Sequence, residues 1–305
     1  MKGGHSFDPV PVHSFATQSL QETMTRRIRK RMAFDPSQFT QLVFSGGGTR
    51  CFWHGGFLSK IGTVDDLAPE RVCGVSGGAL SASAWISGNA QRCKRVMGNI
   101  FERNERNLDL GKSKATPHQE LYREAVCGTL PDDAVDKIAR GPAFQILLGC
   151  PPPYLPSRVF AAICAIGYKL EQVIIGSPSL TCTQLLGLDG MLVDARQAAR
   201  DGELIDLICA AATIPPVFDI PKWRGRDVLD GSMVTKAPYP EPDRGKTLIL
   251  MTTSYRNIPE DDEKVFVTPS KKVEADKIDF TRREKIEETW EQGQNDALSF
   301  LAEYR

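Results

Sequence analysis

Two short stretches bring together residue types that carry out acyl chemistry. The first is Arg71-Val72-Cys73-Gly74-Val75-Ser76-Gly77-Gly78-Ala79-Leu80, a G-x-S-x-G pentapeptide centred on Ser76. A serine between glycines, placed where an apolar β-type run gives way to small residues, fits a sharp strand-to-helix turn. The glycines leave room where side chains would collide with neighbouring backbone, and the serine hydroxyl stands at the sheet edge. The next amide, on Gly77, would sit at a helix N-terminus and face a developing oxyanion. The second stretch is Ser45-Gly46-Gly47-Gly48-Thr49-Arg50. Three successive glycines let several N–H groups converge into an anion-binding concavity. The first stretch also has a plainer reading, as a tight connection with a spectator serine.

The anion for such a loop is either a phosphate or the oxyanion of a tetrahedral acyl intermediate. A P-loop needs Gly-Lys-Ser/Thr, and Gly48-Thr49-Arg50-Cys51 does not supply it. The dinucleotide fingerprint G-x-G-x-x-G also fails, because the next glycine is Gly55. A nucleotide-binding module is therefore the weaker alternative. Ser76 follows Gly48 by 28 residues, the span of one helix and a return strand, which would set both turns at one sheet edge. Arg50 either anchors the loop or offers its charge to a substrate headgroup.

A nucleophilic serine needs a base. The chain has four histidines, His5, His13, His54 and His118, and none after position 118. The chain order Ser, Asp/Glu, His of α/β-hydrolases thus lacks its last member. Triad order varies between folds, so a Ser–His pair is disfavoured rather than excluded. Asp230, in Val228-Leu229-Asp230-Gly231-Ser232, is the alternative. It ends a short strand expected at 227–229, and Asp-Gly is equally a common turn signal. A free aspartate, with a pKa of about 4, is a weak base for a hydroxyl. Burial raises that value, so a Ser–Asp pair requires a pocket, which an apolar acyl substrate would help to dry.

The elements that must position these residues alternate. Strands are expected at 41–44, 71–75, 173–175, 227–229 and 247–252, and helices at 76–87, 117–140, 157–170, 194–212 and 282–304, with a loop over 257–277. Alternation of this kind favours α/β layers, with helices on both faces of a largely parallel sheet. Residues 143–170, including Phe144, Ile146, Leu147, Leu148, Phe160 and Ile163, read either as core or as an acyl tunnel or lid. Residues 1–40 lack periodicity and read as an N-terminal arm. Its basic run Arg26–Arg31 is either a solvated face or a contact for anionic headgroups. Lys222, Arg224 and Arg226 carry the same two readings.

Composition narrows the class. The chain has 305 residues, 41% of them hydrophobic, enough for a sizeable core. Lys plus Arg and Asp plus Glu each number 38, so a globally basic nucleic-acid binder is not expected. The eight cysteines form no C-x-x-C and no Cys/His cluster, which argues against a metal site or a disulfide framework. The first twenty residues hold no apolar signal core, and the apolar stretch near Phe160–Ile166 is too short to span a bilayer. A cytoplasmic protein is expected.

Three segments in order, SGGGTR, GVSGG, and CAAATIPPVFDI followed by VLDGSMVTKAP, resemble the patatin-like phospholipases. The resemblance runs from about Gln41 to Pro238. It implies a three-layer α/β fold around a mostly parallel sheet, with residues 41–305 as the catalytic domain. It implies a lipid acyl hydrolase acting on membrane phospholipids or lysophospholipids through a Ser–Asp dyad, with no metal or cofactor, no nucleic-acid partner, and contact at the membrane periphery. By similarity Ser76 matches the nucleophile, Asp230 the base, and Gly46, Gly47 and Gly48, with Gly77, the oxyanion hole. A soluble esterase or thioesterase on the same dyad is the alternative. Two positions depart from the family pattern: Cys51 follows the loop arginine where glycine is frequent, and Ser232 stands where D-G-G or D-G-A is usual.

Overall fold

The structure, a computed structural model, describes residues 34–108, 117–163, 178, 181–215 and 218–303 of the chain. By internal contacts the chain divides into two compact units, residues 1–35 with 299–305, and residues 36–298. In the first, the rings of Phe34 and Phe300 meet edge to face, with centroids 5.4 Å apart. The second carries the sheet and the site. His5, His13, the basic run 26–31, residues 164–170, the strand expected at 173–175, Pro216, Val217 and Tyr304 lie outside the described residues.

The strands are β1 Gln41–Phe44, β2 Arg71–Val75, β3 Ala143–Cys150, β4 Asp189–Asp194, β5 Lys222–Trp223, β6 Arg226–Asp227, β7 Leu229–Asp230, β8 Thr247–Leu250 and β9 Lys264–Val267. The main sheet runs β4-β3-β2-β1-β8-β9, and β7 also pairs with β3. Strands β3, β2, β1, β8 and β9 are parallel; β4 and β7 run antiparallel to β3. The helices are α1 Phe52–Ile61, α2 Val64–Leu67, α3 Gly77–Ile86, α4 Ala90–Arg103, α5 His118–Thr129, α6 Asp132–Arg140, α7 Thr181–Leu185, α8 Ala195–Arg200, α9 Leu204–Ala211 and α10 Arg283–Glu303. Residues 157–163 are helical as well. The result is a mostly parallel sheet flanked by helices, the three-layer α/β arrangement that the alternation anticipates.

Local chemistry accounts for most of these elements. β1 (QLVF) and β8 (TLIL) are buried at every position, as expected of central parallel strands covered on both faces. The helical stretch 117–140 is two helices, because Pro131 extends the chain between α5 and α6. The stretch 194–212 is also two helices, broken at Gly202 with φ +75°. Residues 143–150 take the core reading. They are β3, with Phe144, Ile146, Leu147 and Leu148 buried. A short apolar run does not declare its own period, and its partners on both edges settle the matter. β4, at the sheet edge, and β9, inside the expected loop, each offer an apolar run of only three residues, 191–193 and 265–267, too short to announce a strand.

The register explains why the site exists. β1, β2 and β8 are parallel and level: Phe44 pairs with Gly74 on one side and with Leu250 on the other. Their chain exits, Ser45, Ser76 and Met251, therefore gather at one edge. β2 leaves β3 at the pair Val75–Leu147. The next two β3 residues, Leu148 and Gly149, still pair with β4 on one edge, and take up Asp230 and Leu229 on the edge that β2 has vacated. Asp230 thus occupies the lane just beyond Val75, beside the turn carrying Ser76.

Candidate active site

Ser76 links β2 to α3 with φ 56° and ψ −135°. That region is unfavourable for a non-glycine residue by about 1–3 kcal/mol, and it is the conformation of a nucleophile elbow. The turn is held because α3 starts directly over the end of β1. A side chain on Gly78 would overlap the Phe44 and Ser45 carbonyl oxygens, so only glycine allows the approach. Ser76 is 4% exposed, and its hydroxyl donates to Asp230 Oδ2 at 2.6 Å.

Asp230 is 0% exposed. Its amide donates to the Thr213 carbonyl at 2.9 Å, and its Oδ1 accepts the Ser232 N–H at 2.7 Å. Lys236 Nζ donates in turn to Ser232 Oγ at 2.9 Å. Burial pushes the Asp230 carboxyl above the ordinary carboxylate range, while the Lys236 charge and the Ser76 and Ser232 hydrogen bonds pull it part of the way back. This is the environment in which an aspartate becomes a competent base.

The glycine loop lies against both residues. The Gly46 amide donates to the Lys236 carbonyl at 3.1 Å, so Gly46 gives the site room rather than a free N–H. A side chain there would meet the Ser232 and Ser76 Cβ atoms, at 2.9 and 3.3 Å. Gly48 adopts φ +59°, and any Cβ on it would overlap the Lys277 carbonyl. Its own carbonyl stands 2.6 Å from where a Gly77 side chain would begin, so the loop and the start of α3 are in contact. Among the described residues, the amides of Gly47, Gly48 and Gly77 have no backbone acceptor outside helices and strands. Thr252, beyond β8, fixes the loop: its hydroxyl donates to the Gly46 carbonyl at 2.9 Å and its amide to Ser45 Oγ at 3.1 Å. From the other side the Lys277 carbonyl accepts the Thr49 amide at 3.2 Å. Thr252 and Lys277 lie outside the motifs, and Lys236 lies inside the VLDGSMVTKAP segment but is not singled out there.

The remaining candidates are accounted for. Burial pushes His54 down to about 3, a neutral imidazole packed edge-on to Phe44 at 5.6 Å. His118 donates through Nε2 to the Ile278 carbonyl at 2.7 Å, and burial lowers its pKa. Neither is hydrogen-bonded to Ser76. Arg50 is half-buried on the turn after the loop, with Nε buried and lacking a hydrogen-bond partner. Cys51 donates to the Ser45 carbonyl at 3.5 Å; burial and then the Asp230 charge push its pKa up, so it stays a thiol. A cavity of about 50 Å³ is lined by Gly48, Gly77, Cys51, Leu80, Phe280 and Trp290. Tyr122 also lines it, with a buried hydroxyl that has no hydrogen-bond partner among the described residues.

A family model described as Patatin-like phospholipase matches residues 42–243, well over half of the chain. Among solved structures, the chain is similar to the crystal structure of VipD from Legionella pneumophila, with 9% sequence identity and a TM-score of 0.46. That alignment covers 87% of this chain and 67% of the other, and the likeness is too distant to bear on the site. No curated protein matches the chain by sequence. The matched span contains the glycine loop, Ser76 and Asp230.

Proposed function

The chain belongs to the patatin-like phospholipases, a family of lipid acyl hydrolases, and on that premise we propose that Ser76 is its nucleophile and Asp230 its base. The observation that carries this reading is the 2.6 Å hydrogen bond between Ser76 Oγ and Asp230 Oδ2 in a site closed to solvent. Ser76 Oγ attacks the ester carbonyl carbon as its proton passes to Asp230. The amides of Gly47, Gly48 and Gly77 receive the oxyanion. On collapse the C–O bond breaks, and the leaving alcohol takes the proton from Asp230. Asp230 then deprotonates a water molecule, which attacks the acyl-Ser76 ester; the fatty acid leaves, and the proton returns to Ser76.

The substrates proposed are fatty-acyl esters of phospholipids or lysophospholipids. The cavity lined by Gly48 and Gly77, neighbours of Ser76, is the route for the acyl chain, and at about 50 Å³ it must widen to admit one. Arg50 remains a candidate for the substrate phosphate. A lipid surface also suits the far side of the site. Phe160 and Leu188 pack with Val75 and Leu229, and on neighbouring segments Leu185 and Tyr154 are 82% and 71% exposed. Among the described residues no helix is long and apolar enough to cross a membrane, and contact at the periphery is proposed.

The test is lipid product analysis. Purified protein is incubated with phosphatidylethanolamine–phosphatidylglycerol vesicles and, separately, with a soluble short-chain ester, and released fatty acid is measured by mass spectrometry. Wild type releases fatty acid from the vesicles and Ser76→Ala does not. Equal release by Ser76→Ala sinks the assignment. Turnover of the soluble ester alone replaces the lipid reading with that of a soluble esterase.

A further inference from the structure

The Ser–Asp reading leaves a buried cation unexplained. Lys236 is 5% exposed, four residues from Ser232 and six from Asp230. A buried ammonium is costly and is retained where a nearby negative charge or a function requires it. Both backbone ends of Lys236 are fixed: its amide donates to the Pro178 carbonyl at 2.8 Å, and its carbonyl accepts the Gly46 amide at 3.1 Å. Its Nζ donates to Ser232 Oγ at 2.9 Å, and the Ser232 amide donates to Asp230 Oδ1 at 2.7 Å. Because Ser232 Oγ accepts from Lys236, the Ser232 proton is left to turn toward Asp230.

We propose that Ser232 and Lys236 form a second hydrogen-bonded arm on Asp230, a positioning pair that keeps the carboxylate ionised and aimed at Ser76. The proposal rests on Asp230 being the base. A base must be charged before it can accept a proton, and a carboxylate with no solvent exposure, left alone, would hold its proton at neutral pH. Burial is the largest influence raising Asp230 and the Lys236 charge is the largest lowering it, so the two set the balance. Two other titratable groups feel the same carboxylate, Cys51 and Tyr122, and burial raises both so that they stay neutral. Arg50, next to Cys51, pulls that thiol's pKa down as Lys236 does. The hydroxyl of Ser232 is what a glycine or alanine at this turn would lack. Ser232 thus meets the lysine through its hydroxyl and Oδ1 through its amide, while Oδ2 accepts from Ser76.

The experiment is the pH dependence of kcat/KM on a p-nitrophenyl short-chain ester for wild type, Lys236→Met, Lys236→Arg and Ser232→Ala, with thermal melts of each. The acidic limb reports protonation of the base: activity is lost as pH falls through its pKa. Removing the neighbouring cation raises that pKa, so Lys236→Met moves the limb to higher pH by about one unit. Ser232→Ala moves it the same way by less, and Lys236→Arg keeps it near the wild-type position. A folded Lys236→Met with an unmoved limb and only a lower melting temperature overturns the arm and leaves a structural lysine. If Lys236→Met does not fold, Ser232→Ala decides by the same reading. Turnover by Ser76→Ala defeats the dyad instead, so the two failures are told apart.

Discussion

The two halves of the site are built in different ways. The Ser76 side is local: a buried strand, one strained residue and a helix follow one another within Arg71–Ile86, and the glycines that make the turn are adjacent in sequence. The Asp230 side is assembled from afar. β7 is only two residues long, too short to hold itself, and its position comes from β3, from the Thr213 carbonyl and from the Ser232–Lys236 arm. Ser76 is thus fixed by backbone geometry and Asp230 by long-range pairing and buried charge. A turn can specify where an atom points, but a carboxylate needs a whole environment to specify its proton affinity.

The largest effect tests whether the two halves act as one unit. Asp230→Asn keeps the shape of the turn and removes the base, and ester turnover by the purified variant should fall by about 10⁴-fold or more, as for nucleophile–base pairs elsewhere. A circular dichroism spectrum like that of wild type would show that the distant half can be disarmed without dismantling it. Residual turnover of more than a tenth would mean that Ser76 does not depend on it.

A smaller, mixed effect is expected from the local half. Gly48→Ala places a side chain against the Lys277 carbonyl at a residue with φ +59°. The loop must shift, carrying its amides off the oxyanion position, and kcat should drop by about 10²-fold. Strain of about 1–3 kcal/mol should lower the melting temperature as well. Unchanged kinetics would remove this loop from the oxyanion assignment.

The smallest effect lies in the cavity lined by Gly48 and Gly77, on the Ser76 side. Tyr122→Phe deletes a buried hydroxyl that has no hydrogen-bond partner among the described residues, so stability should rise by about 1 kcal/mol, measured by denaturant unfolding. A loss of stability would mean that the hydroxyl has a partner in solution.

How much of this could be read in advance follows the same division. The strands 41–44 and 71–75 and the turn at Ser76 were legible because apolar runs and glycines act on their immediate neighbours. β3 and β4 were not, since one is an apolar run with no clear period and the other an edge strand with only Met191, Leu192 and Val193 apolar, and pairing partners decide both. The glycine loop was legible as an anion cradle. Which of its amides are free was not, because the acceptor for Gly46 is Lys236, 190 residues further along the chain.

By itself the sequence determined the chemical inventory: a serine on a glycine-bounded turn, a glycine cradle, a strand-end aspartate and no histidine late in the chain. These follow from residue type and short-range sterics. Tertiary structure alone decided that Asp230 fills the lane β2 leaves open, that it is fully buried, and that a lysine six residues on shares its environment. Register and burial are properties of the packed sheet. A carboxylate's basicity follows from burial, so it becomes definite only once the chain has closed around it.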